Sequence, residues 1–362
     1  MMKILIVFNH PAPYKVLIFN ELSKYVDLTV LFERNKAKDR PAEFYSANKY
    51  DFNVITLKDS YIGNEGSLSN KVKQHIKSHH DEYDLIVMSG YSHVAEIKAI
   101  RYMTKHNIPF IQLINGGAIR EKEFFLKKLY KKSLVSSASY FISPSKVSDD
   151  YLVYYGAKRE NIYRYPYSNI SDEDIITSKP NKTIIREKYN LPLDSKIFVN
   201  ASQFIDRKNN LQLLNIFKNR KEHLLLIGQG KELNEYLDFI KSNNMNNVSI
   251  LPFKEKEELF EIFKGCNAFI TLAKRDIFGH TILEALSCGL PVISSNKVNS
   301  ALEFIENGKN GYVVDLDNNQ EIENAIDEIT NIPFENTVNT VKGYTVEASG
   351  KELARIFKEI HG

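Results

Sequence analysis

Residues 275–295 read RDIFGHTILEALSCGLPVISS. The apolar run AFITLA (268–273) ends just before this stretch, and PVISS (291–295) closes it. Between the two, Gly279 marks a turn and a helix is predicted from about His280 to Ser287. Gly289 stops that helix and Pro291 prevents its continuation. Strand, glycine turn, helix, glycine stop and strand make a βαβ crossover, the unit that builds parallel sheets.

The same rhythm extends in both directions. KIFVNAS (196–202), HLLLIG (223–228), NVSILPF (247–253) and GYVVD (311–315) read as further strands of this half. Upstream, KILIVFN (3–9), LTVLFER (28–34), NVITL (53–57), DLIVMSGY (84–91), PFIQLING (109–116) and YFISPS (140–145) repeat the pattern. Helical patterns such as Tyr14–Tyr25, Val94–Asn107 and Val147–Tyr155 fall between them. These runs are continuously apolar rather than alternating, as parallel strands buried on both faces require. Ser168 to Lys196 is polar and carries Pro180 and Pro192, which predicts a linker with one short helix. The expected fold is α/β, with two Rossmann-like, doubly wound parallel-sheet domains facing across a cleft. The domains are placed at 1–170 and 171–345, with a last helix in 346–362 packing back on the first.

A chain of 362 residues suits about two domains. With 43% hydrophobic and 26% charged residues it has an ordinary globular balance, and a net charge of +3 gives no argument for nucleic acid. Cys266 and Cys288 lack any metal-binding spacing and read as reduced, buried thiols. The apolar run Ile4–Phe8 is too short for a signal segment, and nothing approaches the roughly 18 apolar residues of a membrane span. A cytoplasmic chain is expected. Residues 121–133, EKEFFLKKLYKKS, interleave lysines with Phe124, Phe125, Leu129 and Tyr130. A basic amphipathic helix of this kind suits anionic lipid or an anionic acceptor, which would place the chain peripherally on the inner membrane face. A core-packed helix with a solvated basic face fits the same letters.

The turn at Gly279 directs backbone N–H groups and a positive helix end outward, an arrangement suited to phosphate. Asp276 precedes the helix and Glu284 lies within it, so the turn lets both carboxylates face the hydroxyls of one ligand. A capped helix is the competing reading, with Asp276 stabilising its start and Glu284 on a solvated face. In ASQFIDRKN (201–209), Arg207 and Lys208 follow a strand. Two cations at a helix start oppose its dipole, so an anion such as a diphosphate is the expected partner; a solvated Arg-Lys pair is the competing reading.

Residues 276–292 resemble the signature of the family-4 retaining glycosyltransferases of the GT-B fold. That signature runs Glu-x-Phe-Gly-x-x-x-x-Glu, then Ala, a small residue and Cys-Gly-x-Pro-Val. The match takes in Asp276, Phe278, Gly279, Glu284, Ala285, Cys288, Gly289, Pro291 and Val292, with Asp276 standing where the family has Glu. The resemblance implies that Glu284 holds the donor ribose and that Asp276 contacts the transferred sugar. The backbone of Phe278, Gly279, His280 and Thr281 would meet the diphosphate. Residues 201–209 are similar to the family's Gly-Arg-Leu, three residues, Lys-Gly. Lys208 falls on the Lys position, Gln203 beside Ser202 on the Arg position, and Arg207 supplies a second cation. Gly228-Gln-Gly230 resembles the Gly-x-Gly turn near the nucleotide. Pro252-Phe253 stands where the family holds the base, although a core Phe is an equal reading.

On the acceptor side the resemblance is weaker. His10 and Tyr14 follow the first strand, where the family often has a Gly-Gly loop. Asn115-Gly116-Gly117 stands where a bacterial surface-polysaccharide subgroup has Asp-Gly-Gly. His93, in SGYSH (89–93), is a helix-start residue or a catalytic one. The implied activity is retaining transfer of a hexose or N-acetylhexosamine from a UDP-sugar. The acceptor would be a cell-surface glycan, a teichoic-acid-like polymer or a lipid-linked glycan. The first domain would bind it and the second the donor. No metal is expected; Asp172-Glu-Asp174 and Asp315-Leu-Asp317 read as polar loops. The alternatives are a catalytically degenerate accessory subunit and a nucleotide-sugar epimerase.

Overall fold

The computed structural model describes residues 1–36, 45, 49–57, 65–119 and 123–362, with only the backbone of 65–69. The chain divides into two compact units, Met1–Asn169 with Gly343–Gly362, and Ile170–Lys342.

The first unit opens with β1 (Lys3–Phe8), α1 (Pro13–Ser23), β2 (Asp27–Phe32), β3 (Asn53–Thr56) and α2 (Glu65–His79). It continues with β4 (Leu85–Met88), α3 (Val94–Lys105), β5 (Ile111–Leu113) and α4 (Phe125–Val135). β6 (Tyr140–Ser143), α5 (Lys146–Tyr154) and β7 (Ile162–Arg164) complete its sheet. The seven strands lie in the order β3-β2-β1-β4-β5-β6-β7, all parallel. Ile4 to Phe8 of the central strand are buried, and the order reverses between β1 and β4. Such a reversal leaves a crevice at the strands' C-terminal ends.

The second unit holds α6 (Lys182–Lys188), β8 (Ile197–Ala201), α7 (Asn210–Phe217), β9 (His223–Ile227) and α8 (Leu233–Ser242). β10 (Val248–Leu251), α9 (Lys256–Gly265), β11 (Ala268–Thr271), α10 (Thr281–Ser287) and β12 (Val292–Ser295) follow. α11 (Asn299–Phe304), β13 (Gly311–Val314), α12 (Asn319–Glu328) and α13 (Phe334–Val341) close the unit. Its six parallel strands run β10-β9-β8-β11-β12-β13, with the reversal between β8 and β11. Both units therefore have the doubly wound parallel architecture expected from the continuous apolar runs.

The final helix, α14 (Val346–His361), packs on α1 within the first unit. The contact is close because Gly350 has no side chain: a Cβ there would lie 2.5 Å from Glu21 Cβ and 2.7 Å from Leu22 N. Ser349 Oγ donates to the Pro166 carbonyl, fixing the helix against the strand-end segment.

Several readings change. β7 was not expected. The stretch 168–196 is not a free linker, because from Ile170 onward it folds onto the second unit. Arg186 on α6 is 6% exposed, and its guanidinium donates to Gly265 O (2.9 Å), Leu193 O (2.7 Å) and Asn267 Oδ1 (2.7 Å). Cys266 and Cys288 are free and buried, and burial pushes both thiols up to about 12.

The basic helix forms as α4, although Glu121 and Lys122 at the start of 121–133 lie outside the described residues. Its C-terminal turn is core-packed through Leu134 and Val135, but its first turns are not. Phe124, Phe125 and Leu126 are 74%, 68% and 64% exposed, and Leu129 and Tyr130 are exposed as well. Two of its lysines turn inward instead. Lys131 pairs with Glu123 at 2.5 Å, and Lys128 lies 3.8 Å from the Tyr154 ring centroid. Lys127 and Lys132 remain exposed.

Candidate functional site

In the second unit, the loops after β8, β9 and β11 meet at the C-terminal end of the sheet. β8 ends in a buried polar ladder: Asn200 Nδ2 donates to Ile270 O (2.7 Å), and Ser202 Oγ donates to Asn200 Oδ1 (2.7 Å). A 3-10 turn, Asp206–Lys208, follows, and Asn209 takes a left-handed conformation (φ 60°) before α7. This turn carries Arg207 and Lys208 at its tip. The β9 loop approaches through glycines. A Cβ on Gly228 (φ +150°) would fall 1.9 Å from Ser202 O, and one on Gly230 2.3 Å from Phe204 O.

After β11 the chain turns through Asp276–His280 into α10, and a neighbouring segment holds the turn. Asp276 N donates to Lys297 O (3.0 Å), Ser300 N to Phe278 O (2.9 Å) and Ser300 Oγ to Gly279 O (2.9 Å). Asn299 Nδ2 donates to Ile277 O at 2.7 Å. Gly279 has φ +93°, and a Cβ there would lie 2.6 Å from Val298 Cγ1. Gly289, at the other end of α10, has φ +77° and leaves room for the Phe334 ring.

Lys208 Nζ reaches Asp276 Oδ2 at 2.5 Å, and Arg207 Nη1 lies 3.9 Å from the same oxygen. Burial pushes the Asp276 carboxyl up, but Lys208 and then Arg207 and His280 outweigh it and hold the group below its ordinary value. Arg207 Nη2 donates to Gln203 Oε1 at 3.3 Å, so Gln203 positions the guanidinium. Two cations and a carboxylate thus converge beside the Gly279 turn. Such a corner can grip a diphosphate and accept sugar hydroxyls.

The other expected residues of this unit are spread around that corner. Phe278 is 4% exposed and packs edge-on against Phe304, so its side chain anchors the turn. His280 and Thr281 open α10, and Glu284 stands half-buried within it. Pro252 and Phe253 follow β10 and are exposed, which overturns the reading of Phe253 as core. Asp174 accepts from Ser171 N (2.6 Å) and pairs with the distant Lys256 (2.5 Å), and Asp315 accepts from Asp317 N (3.0 Å).

In the first unit the expected acceptor-side residues also follow strand ends. His10 comes after β1 and its Nδ1 lies 3.1 Å from the Tyr45 hydroxyl; Tyr14 in α1 packs edge-on against Tyr167. Asn115 and Gly116 (φ +138°) follow β5, and Gly117 is pressed against the Tyr151 ring, 2.6 Å from where its Cβ would be. His93 caps α3, as a helix-start residue does. It also meets two buried carboxylates that were not anticipated, Glu33 after β2 and Glu96 in α3. Burial beside the Glu33 charge pushes the Glu96 carboxyl up to about 7. The sequence signal for this group was faint, since Glu33 ends an apolar run and Glu96 resembles any first-turn acid.

A family model, "Glycosyl transferases group 1", matches residues 181–343. The O-antigen biosynthesis glycosyltransferase WclY of Escherichia coli is 24% identical over 264 residues, covering 69% of this chain and 73% of that one. The N-acetyl-alpha-D-glucosaminyl L-malate synthase of Bacillus anthracis is 21% identical over 273 residues, covering 68% and 69%. Among solved structures, Anabaena Alr3699/HepE in complex with UDP and glucose has a TM-score of 0.77 at 18% identity, covering 99% of this chain and 100% of that one.

Proposed function

We propose that this chain, a glycosyltransferase with the GT-B fold, moves a hexose or N-acetylhexosamine from a UDP-sugar to a surface-glycan, teichoic-acid-like or lipid-linked acceptor. The observation that carries the reading is the convergence of Arg207 and Lys208 on Asp276 beside the Gly279 turn, inside the matched region. The UDP-sugar donor is supported by the UDP and glucose bound to the Anabaena neighbour.

In this reading the second unit binds the donor. Glu284 accepts from the ribose hydroxyls, and Asp276 accepts from hydroxyls of the transferred sugar. Arg207, Lys208 and the Phe278–Thr281 backbone stabilise the charge that builds on the diphosphate as the glycosidic bond breaks. Ser202, Gln203 and Gly228 shape the wall of that site, and Pro252 and Phe253 meet the base. The acceptor binds the first unit near His10, Tyr14, His93, Asn115, Gly116 and Gly117. Transfer proceeds with retention by front-face attack, the leaving phosphate helping to take the acceptor proton, and it needs no metal. The exposed apolar turn of α4 with Lys127 and Lys132 suits an anionic membrane surface, placing the enzyme on the inner face. No helix among the described residues is long and apolar enough to cross a membrane.

The test is a donor screen for acceptor-dependent nucleotide release in EDTA, paired with calorimetric titration of UDP. Release from a UDP-sugar, UDP binding, and a loss of about 10²-fold in turnover for Glu284→Ala are expected. A chain that binds no nucleotide is an accessory subunit instead. Strict dependence on an added divalent ion sinks the metal-free mechanism.

A further inference from the structure

Glu33, His93 and Glu96 come together at the C-terminal edge of the first unit's sheet. Glu33 directly follows β2, and the loop 89–93 directly follows β4; both strands flank β1, where the strand order reverses. The carboxylates are deeply buried, with Glu33 5% and Glu96 3% exposed. His93 Nδ1 lies 3.3 Å from Glu33 Oε2 and 3.8 Å from Glu96 Oε1, and one ligand atom from each residue lies within 4.8 Å of the others. Among the described residues no other group of His, Cys, Asp or Glu is set this way.

The cluster is incomplete as a hydrogen-bonded network. Glu33 Oε1 is a buried atom without a hydrogen-bond partner among the described residues, and His93 Nδ1 has only the 3.3 Å approach of Glu33 Oε2. Leaving a carboxylate oxygen unpaired away from water costs free energy, so such an atom calls for a ligand. Glu96 is already oriented: its Oε2 accepts from Ser92 N (2.7 Å) and His93 N (2.9 Å), which leaves Oε1 facing the cluster. Gly90 makes room for that oxygen, since a Cβ there would lie 2.5 Å from Glu96 Oε1.

We propose that Glu33, His93 and Glu96 hold one divalent transition-metal ion, Zn²⁺ foremost, with a fourth position open on the exposed side of His93. Ligands bound to zinc at about 2.0–2.2 Å stand about 3.4 Å apart in a tetrahedron, close to the 3.3 and 3.8 Å from His93 Nδ1 to the two carboxylates. One imidazole and two carboxylates match zinc or manganese better than calcium, which prefers oxygen alone. The His93 side chain is 38% exposed, so a water oxygen has access. Backbone donors on Glu96 supply the outer support that metal carboxylates normally have.

Arg34 is the element that opposes the ion. Its Nη2 lies 3.4 Å from His93 Nε2, and its positive charge stands beside the cluster. Metal on Nδ1 places the imidazole proton on Nε2, facing that guanidinium. Loading therefore displaces Arg34, and removing its charge should tighten binding.

The proposal is independent of the donor site, whose residues lie in the second unit, and its test reads binding rather than turnover. Chain stripped with EDTA is dialysed and titrated with ZnCl₂ and MnCl₂ by calorimetry, and metal content is measured after gel filtration. One Zn²⁺ per chain is expected, with affinity falling at least tenfold in Glu33→Gln and in His93→Gln and rising in Arg34→Gln. Zinc should raise the Tm of the wild-type chain and leave that of Glu33→Gln unchanged. Circular dichroism checks that each variant is folded. No saturable binding by the wild type overturns the site, as does binding that survives both Glu33→Gln and His93→Gln. Weaker binding in Arg34→Gln also counts against it.

Discussion

Lys208 Nζ and Asp276 Oδ2 are 2.5 Å apart although they sit on different crossovers, one after β8 and the other after β11. Their side chains are only 11% and 18% exposed. The pair clasps two strand-end loops together and holds the charge of Lys208 in check until a stronger anion competes for it.

Removing one partner should reveal both roles. Lys208→Met is expected to destabilise the second unit by about 2 kcal/mol, because Asp276 is left largely buried without its main counter-charge. It should also lower turnover by about 10²-fold. The pH dependence has a definite sign. The folded Asp276 carboxyl titrates below its ordinary value, so the stability it contributes is present above the unfolded value near 3.9 and is lost as pH falls through the folded value. Denaturation of wild type and Asp276→Asn at pH 7 and at successively lower pH should therefore show a gap that narrows in acid.

The two glycines with positive φ at positions 228 and 343 allow a controlled comparison. Gly228→Ala drives a methyl to 1.9 Å from a backbone oxygen and should cost about 3 kcal/mol or more. Gly343 has φ +79° with nothing within 4 Å of a Cβ, so Gly343→Ala carries conformational strain alone, about 1 kcal/mol. Urea unfolding of both variants checks the ratio; equal costs would contradict the close approach of the β8 and β9 loops.

Lys15 is 1% exposed at the start of α1, where its amine donates to Tyr165 Oη (2.8 Å) and lies 4.0 Å from the Tyr167 ring centroid. Burial holds its pKa well below that of a free lysine. The unfolded chain then binds more protons than the folded one between the lowered value and about 10.4, so stability rises with pH through that window. Thermal melts from pH 7 to 10 should show this rise in wild type and lose it in Lys15→Met.

The exposed first turn of α4 gives a surface prediction. Phe124→Ser with Phe125→Ser should abolish sedimentation with anionic vesicles at low salt and leave the Tm unchanged, since both rings are mostly exposed. A clear fall in Tm would assign the rings a packing role instead.

The strands were readable because both sheets are parallel and covered on both faces, so runs such as KILIVFN carry no alternation to confuse them. β7 escaped notice because it is a three-residue edge strand, IYR, that is only half-buried. The turn from Asp276 to Gly279 was legible because its parts are close in sequence. Its clasp to Lys208 was not, since that depends on β8 and β11 being neighbours. The same holds for Glu33 with His93 and Glu96: the order β2-β1-β4 unites them, and no local spacing announces it. Arg186 lies in the stretch 168–196 that reads as linker, and the partners that bury its guanidinium, Gly265 O and Asn267 Oδ1, are distant in sequence.

The docking of α14 on α1 has a bearing on how the protein is made. During synthesis, residues 170–342 leave the ribosome as a contiguous body and can fold at once. The earlier unit must wait with the α1 surface bare until the sixteen residues of α14 emerge. Chaperone demand should therefore track the release of α14 rather than the completion of the first sheet.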